Sequence, residues 1–263
     1  MRILFLGDIV GSVGRDAVAA ALPTLREAHA PDLIIANGEN AAAGLGITPG
    51  IADDLFAHGV DAITLGNHAF HRSEISTYLD SGKPIVRPAN FPPGTPGRGT
   101  ILVEKGSHAV AVLNLCGRTF MDRPYDDPFR CADALLEEAE AVVRIVDFHA
   151  EATSEKIAMA WHLDGRVAAV LGTHTHVQTS DARILPGGTA FLCDVGMCGP
   201  RDSVIGMDTD IILRRMKTLM PLRLEVAKGP GIVCGVLLDV DEELGSATEV
   251  LPFCLEPEAP EAG

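Results

Sequence analysis

Residues 60–68 read VDAITLGNH and residues 167–176 read VAAVLGTHTH. Each is a β-rich apolar run, over 60–65 and 167–171, that stops at a glycine and is followed by Asn67 and His68 in one case and by His174 and His176 in the other. Strands of a parallel sheet deliver the residues beyond their C-terminal ends to a common edge, so side chains about a hundred residues apart can meet there. The two stretches therefore predict two walls of one metal site in an α/β protein.

Working outward, residues 3–6 read as a buried first strand and 15–29 carry helical periodicity, with Pro23 expected to kink or split that helix. A strand over 33–36 ends at Asn37-Gly38-Glu39-Asn40, and a helix over 48–58 leads into the strand 60–65. This β-α-β-α-β order is that of an α/β sheet. The Pro- and Gly-rich residues 84–99 read as a loop, followed by a hairpin of strands 100–104 and 109–115 around Gly106. An irregular stretch 116–130, a helix near 132–141 and a strand 142–147 ending at Phe148-His149 come next. A helix opens at Thr153, where a capping box is expected. In the last third, strands at 189–193, 222–227, 232–239 and 247–254 around one helix near 208–219 predict a second, largely antiparallel sheet. One domain spanning 1–263 accommodates these elements, with a flexible tail from about residue 257.

The chain has 263 residues, 47% of them apolar, enough for one extensive core. Its charge is 21 basic minus 36 acidic side chains, or −15. Such a surface repels a polyanion held by many phosphate contacts, so long DNA or RNA is not an expected partner. A small phosphate ester stays compatible, because bound cations set the local field. The N-terminal apolar run is too short for a signal peptide or a membrane span, which predicts a cytoplasmic protein without a membrane partner. The six cysteines contain no C-x-x-C pair and are expected to be reduced.

Asp8, Glu39, Asn67, His149, His174 and His176 all lie just beyond predicted strands, where an open α/β sheet places its ligand-binding groups. Each taken singly has an ordinary explanation: Asp8 as a helix cap, Asn67 as a turn residue, a lone histidine as surface or satisfied core. Together they differ, because six oxygen and imidazole donors at corresponding strand ends have no packing reason to recur. The set has no thiolate, which disfavours copper(I) or an iron–sulfur cluster and fits iron, manganese, zinc or nickel. Gly7, Gly11 and Gly14 have neither dinucleotide-fingerprint nor Walker A spacing, and His149-Ala150-Glu151 lacks the P-C-x-x-C of a zinc deaminase. His29, His58 and His162 fall near predicted helix C-termini, where a structural role suffices.

Asp8 after the first strand, Gly66-Asn67-His68, the lone His149 and His174-x-His176 together resemble the calcineurin-like metallophosphoesterases. Two departures stand out: Ile9-Val10 occupies the place of the histidine in the usual D-x-H, and Gly38-Glu39-Asn40 replaces the usual Gly-Asp. These departures, with DFHAEATSEK at 147–156 and Asp194-Val195-Gly196-Met197, resemble the YmdB-type 2′,3′-cyclic-nucleotide phosphodiesterases over nearly the whole chain. The resemblance implies a four-layer αββα sandwich, two facing mixed sheets flanked by helices. It also implies two iron or manganese ions. One would be held by Asp8, Glu39, Asn40 and His176, the other by Glu39, Asn67, His149 and His174, with Glu39 as the bridge. Paired metals about 3.5 to 4 Å apart clamp an in-line phosphoryl displacement.

His68 is then the expected general acid: a metal-bound hydroxide attacks phosphorus while His68 protonates the departing ribose oxygen, giving the 3′-monophosphate. The other readings of His68 are a further imidazole ligand and a structural histidine. The expected partner is a small phosphoester, a 2′,3′-cyclic nucleotide first of all, and a homo-oligomer is compatible with the sequence. A phosphomonoesterase or broad-specificity phosphodiesterase would share every ligand, and a metal-bound regulatory scaffold is the non-enzymatic alternative.

Overall fold

The burial pattern of one strand lays out the layers. β1 (Arg2–Leu6) buries Ile3, Leu4, Phe5 and Leu6 completely, so both faces of its sheet are covered. Because successive side chains point to opposite faces, Ile3 and Phe5 join one cluster and Leu4 and Leu6 another. Each of these side chains contributes about 1.5–3 kcal/mol by leaving water. The computed structural model describes residues 1–106 and 108–257, so the tail expected from about residue 257 lies, from 258 on, outside the described residues.

After β1 come β2 (Asp8–Ile9), α1 (Gly11–His29), β3 (Leu33–Asn37), α2 (Pro49–Ala57), β4 (Ala62–Thr64), α3 (Ile75–Leu79) and β5 (Ile85–Val86). The middle of the chain supplies β6 (Thr100–Lys105), β7 (His108–Cys116), α4 (Pro128–Glu138), β8 (Val143–His149), α5 (Thr153–Leu163) and β9 (Ala169–Thr173). The remainder is β10 (Arg183–Ile184), β11 (Ala190–Leu192), β12 (Met197–Pro200), α6 (Thr209–Thr218), β13 (Gly231–Asp241) and β14 (Ser246–Leu255).

The first sheet has the order β2-β12-β13-β1-β3-β4-β5, with β14 paired to β13, and the second the order β10-β11-β9-β8-β7-β6. Both are mixed: β1, β3, β4 and β5 run parallel while β13 is antiparallel to β1. Likewise β7, β8, β9 and β11 run parallel while β6 and β10 are antiparallel to their neighbours. Ile3, Phe5, Ile35 and Val236 of the first sheet meet Val112, Ile145 and Leu171 of the second in one cluster. Leu4 and Leu6 pack instead with Val18, Leu22 and Leu55 of α1 and α2. On the far side, Leu113, Val146 and Phe148 pack with Leu136, Met159 and Leu163 of α4 and α5. The result is the expected αββα sandwich. Among the described residues, no helix is long and apolar enough to cross a membrane.

Five local expectations are corrected. The last third builds no second antiparallel sheet: β13 and β14 complete the first sheet beside β1, whereas β11 joins the second in parallel with β9. The segment 222–227 forms no strand, only an isolated bridge from Val226 to Met207. Helix α1 starts at Gly11 and runs through Pro23. Pro23 is exposed, so water can satisfy the carbonyl that loses its N–H partner. The capping box at Thr153 does not form, because Ala152 is the N-cap of α5. Asp127, in a stretch read as irregular, caps α4 by accepting from the N–H groups of Phe129 and Arg130.

Candidate metal centre

All eight residues singled out in the sequence come together where the C-terminal ends of the parallel strands of both sheets meet. Asp8 is in β2, Glu39 and Asn40 follow β3, Asn67 and His68 follow β4, His149 ends β8, and His174 and His176 follow β9. Asp8, Glu39 and His149 have no exposure to solvent. His149 Nε2 lies 3.0 Å from Asn67 Oδ1, 3.2 Å from Glu39 Oε1 and 3.0 Å from His174 Nδ1. Asn40 Nδ2 is 3.2 Å from His176 Nε2, and Asp8 accepts from the His174 N–H at 3.1 Å.

The protonation pattern is set from outside this cluster. The Thr173 hydroxyl donates to Asp147 Oδ1 at 2.7 Å, so its oxygen accepts from His149 Nδ1 at 2.8 Å. That leaves the His149 Nε2 lone pair facing inward. His176 Nδ1 donates to the Ile205 carbonyl at 2.9 Å, and His174 Nε2 is 3.2 Å from Glu151. These contacts turn His176 Nε2 and His174 Nδ1 inward as lone pairs as well. Asp8 Oδ1 is buried and lacks any hydrogen-bond partner among the described residues. These inward lone pairs and the orphaned Asp8 Oδ1 converge as electron-pair donors, and a cation is the group that this arrangement fits. Glu39, His149 and His174 each present one ligand atom within 4.8 Å of the others.

In the protein's own charges, a proton takes that place. Burial opposes ionisation of His149, but the Glu39 carboxylate, with Asp8 and Asp147 behind it, pushes its pKa up to about 9. Burial, and then the charged His149 ring, depress His174 to about 3. Burial raises the carboxyl of Asp8. Burial also acts to raise Glu39, but His149 and His68 outweigh it and hold Glu39 well below the usual carboxylate range. A cation held at His149 Nε2 would displace that proton.

His68 stands at the mouth of the cluster with its side chain 22% exposed. Its backbone N–H donates to Glu39 Oε2 at 3.0 Å, and its Nδ1 lies 2.8 Å from Asn40 Oδ1 and 3.2 Å from Glu39 Oε1. Asn40 Nδ2 already donates to Glu39 Oε1, so Asn40 Oδ1 accepts from His68 Nδ1, and Nε2 is the edge left for another molecule. Gly66 makes the close approach of these loops feasible. A Cβ there would lie 2.2 Å from Glu39 Oε2 and 2.4 Å from His149 Nε2.

The sequence reading left out the residues that hold the site. Asn37 Nδ2 donates to Asp147 Oδ2 at 2.9 Å, tying the two sheets together directly beneath His149. Lys156 and Asp194 form a buried ion pair at 2.8 Å, with side-chain exposures of 1% and 0%. Asp194 Oδ2 also accepts from the N–H and hydroxyl of Thr175, at 3.0 and 2.7 Å, and Oδ1 accepts from the Gly196 N–H at 2.8 Å. Thr175 separates His174 and His176, whose φ angles of 100° and 65° are costly for non-glycine residues. Ile205, φ 47°, is strained in the same sense and supplies the carbonyl that orients His176. The sequence motifs 147–156 and 194–197 held this signal, but only as unexplained runs of resemblance.

Two facing mixed sheets, with oxygen and imidazole donors gathered where their parallel strands end, define the metallophosphoesterase class of fold and site. The family model described as YmdB-like protein matches residues 4–253, and the chain belongs to that family. It is 51% identical over 252 residues to the 2′,3′-cyclic-nucleotide 2′-phosphodiesterase of Bacillus subtilis, covering 95% of each chain. A crystal structure of a hypothetical protein from Thermus thermophilus superimposes with a TM-score of 0.93 at 45% identity, covering 98% of this chain and 100% of that one. The crystal structure of a novel phosphatase from Mycoplasma pneumoniae gives a TM-score of 0.93 at 33% identity, with 99% and 95% covered.

Proposed function

We propose that this chain is a two-metal phosphodiesterase that hydrolyses 2′,3′-cyclic nucleotides to 3′-monophosphates. The observation that carries the reading is the set of inward lone pairs around Glu39 together with the orphaned, buried Asp8 Oδ1. Asp8, Glu39, Asn40 and His176 would hold one cation, and Glu39, Asn67, His149 and His174 the other; iron or manganese suits this nitrogen and oxygen set. When bound, such cations supply Lewis-acid polarisation of the phosphoryl group and lower the pKa of water. The substrate assignment draws on the name of the Bacillus subtilis relative.

The chain's own residues then divide the work. Asp8, Glu39 and Asn67 are held rigidly by burial, so the phosphoryl group meets a preorganised site. His68 keeps Nδ1 on Asn40 and Glu39, which leaves Nε2 for the substrate. Water loses a proton to solvent as its oxygen forms the new bond to phosphorus, the bond from phosphorus to O2′ breaks, and His68 gives its Nε2 proton to the departing O2′. Solvent then returns a proton to the ring.

The test combines elemental analysis of the purified protein with a phosphoester panel on the same sample. Two transition-metal ions per chain and turnover of 2′,3′-cyclic nucleotides are expected. Turnover of monoesters alone would overturn the substrate, and a protein that binds no transition metal would overturn the centre. His68→Ala should keep its metal and lose about 10²–10⁴-fold in kcat; unchanged turnover would reject the acid role.

A further inference from the structure

A cavity of about 580 Å³ opens between the N-terminal end of α1, the segment from Ala42 to Thr48 and residues 223–226, and none of the metal-centre residues lines it. Three arginines, Arg15, Arg72 and Arg223, share its wall. The ion pairs among the described residues engage other side chains, so all three lack a carboxylate partner in a chain that carries 36 carboxylates against 21 cations. Arg15 donates to the Ala41 carbonyl, and Arg72 donates to those of Leu45 and Ala42. Each guanidinium has five N–H donors, so most of this capacity remains open. The adjoining helix end adds to it beyond Gly11, whose N–H donates to the Asn40 carbonyl: Val10 caps α1 with no side-chain bond, and its first turn has no acidic residue.

The lining has three chemical zones. Arginines and the helix end attract a phosphate. Glu74 and Glu225 offer acceptors for hydroxyl or amino groups, and Ile51, Leu224 and Val226 provide an apolar wall. Bare phosphate needs only the first zone, while a polyanion would meet the two carboxylates. The volume falls in the range of small-molecule sites, roughly 300–1,000 Å³.

We propose that this cavity is a second ligand site that takes a nucleoside monophosphate, with its phosphate on Arg15, Arg72 and Arg223. The site stands on its own geometry; the choice of a nucleotide over other phosphorylated small molecules rests on the proposed reaction, which releases one. Arg15 and Arg72 also hold the carbonyls of the segment that follows Glu39 and Asn40.

The experiment is calorimetric titration of the chelator-stripped full chain with 3′-AMP and, separately, with orthophosphate. One saturable 3′-AMP site per chain is expected, weakened about 10-fold or more by Arg223→Glu, which removes a charge-assisted phosphate contact. Ser12→Asp should weaken it comparably while leaving thermal unfolding unimpaired, since a carboxylate suits a helix N-terminus. Retention of binding in Asp8→Asn would locate the ligand outside the metal centre. Absence of saturable binding overturns the site, as does binding lost in Asp8→Asn but unchanged in both cavity variants. Binding of orthophosphate without 3′-AMP overturns the nucleotide class. A chain that binds 3′-AMP here yet hydrolyses no cyclic nucleotide would leave the site standing and reject the proposed reaction.

Discussion

Replacing Lys156 by methionine isolates the part of the site that no ligand motif describes. At 2.8 Å from Asp194, and with an effective dielectric constant of about 20, the attraction is about 6 kcal/mol. Desolvation of two buried ions offsets most of that, so the pair's net contribution relative to an apolar pair is small. Losing only the lysine is different, because Asp194 is then left at 0% exposure with three N–H or O–H donors but no cation. Breaking one side of a buried pair in this way costs about 3–5 kcal/mol. The same carboxylate orders Thr175, so the left-handed backbones of His174 and His176 lose the bonds that offset their strain. Denaturant unfolding of the chelated Lys156→Met variant should show this loss, and elemental analysis should show lower metal retention. Pairing it with Asp194→Asn should recover part of the stability, giving strong coupling in a double-mutant cycle. A loss below about 1 kcal/mol, or additivity of the two changes, would refute the reasoning.

Other consequences are testable with the same material. Gly66→Ala should abolish metal retention, because its Cβ would meet Glu39 Oε2 at 2.2 Å; Gly50→Ala, with nothing within 4 Å of its Cβ, is the matched control. Thr173→Val preserves shape but removes the acceptor for His149 Nδ1, and should weaken metal affinity about 10–100-fold in competition with a chelator. Metal-free protein should melt lower at pH 9 than at pH 6.5. The folded pKa of His149, about 9, is above the unfolded value of about 6.5, so its contribution is full below the latter and lost as pH rises through the former. Asp147, raised to about 6 by burial, acts in the same direction at lower pH, and a pH-independent difference between wild type and His149→Gln over this interval would contradict the assignment.

Much of the layering was legible in the chain. The unbroken apolar run of residues 3–6, the β-α-β-α-β opening and the apolar runs before Gly66 and Gly172 are local patterns, and local patterns report which side chains face a core. The eight polar residues at or beyond strand ends were legible for the same reason, since a parallel sheet carries such residues to one edge. The pairing of β13 with β1 was not, because two strands more than two hundred residues apart find each other by hydrogen bonds and shared burial rather than by any feature of either run.

The sequence by itself determined the donor types, their positions at strand ends and the net charge of −15. Only the tertiary structure decided which lone pairs point inward. That depends on Thr173 against Asp147, Ile205 against His176 and Lys156 against Asp194. Each is a contact of a few ångströms between distant residues, and a hydrogen bond is specified by distance and direction, neither of which a linear order of residues contains.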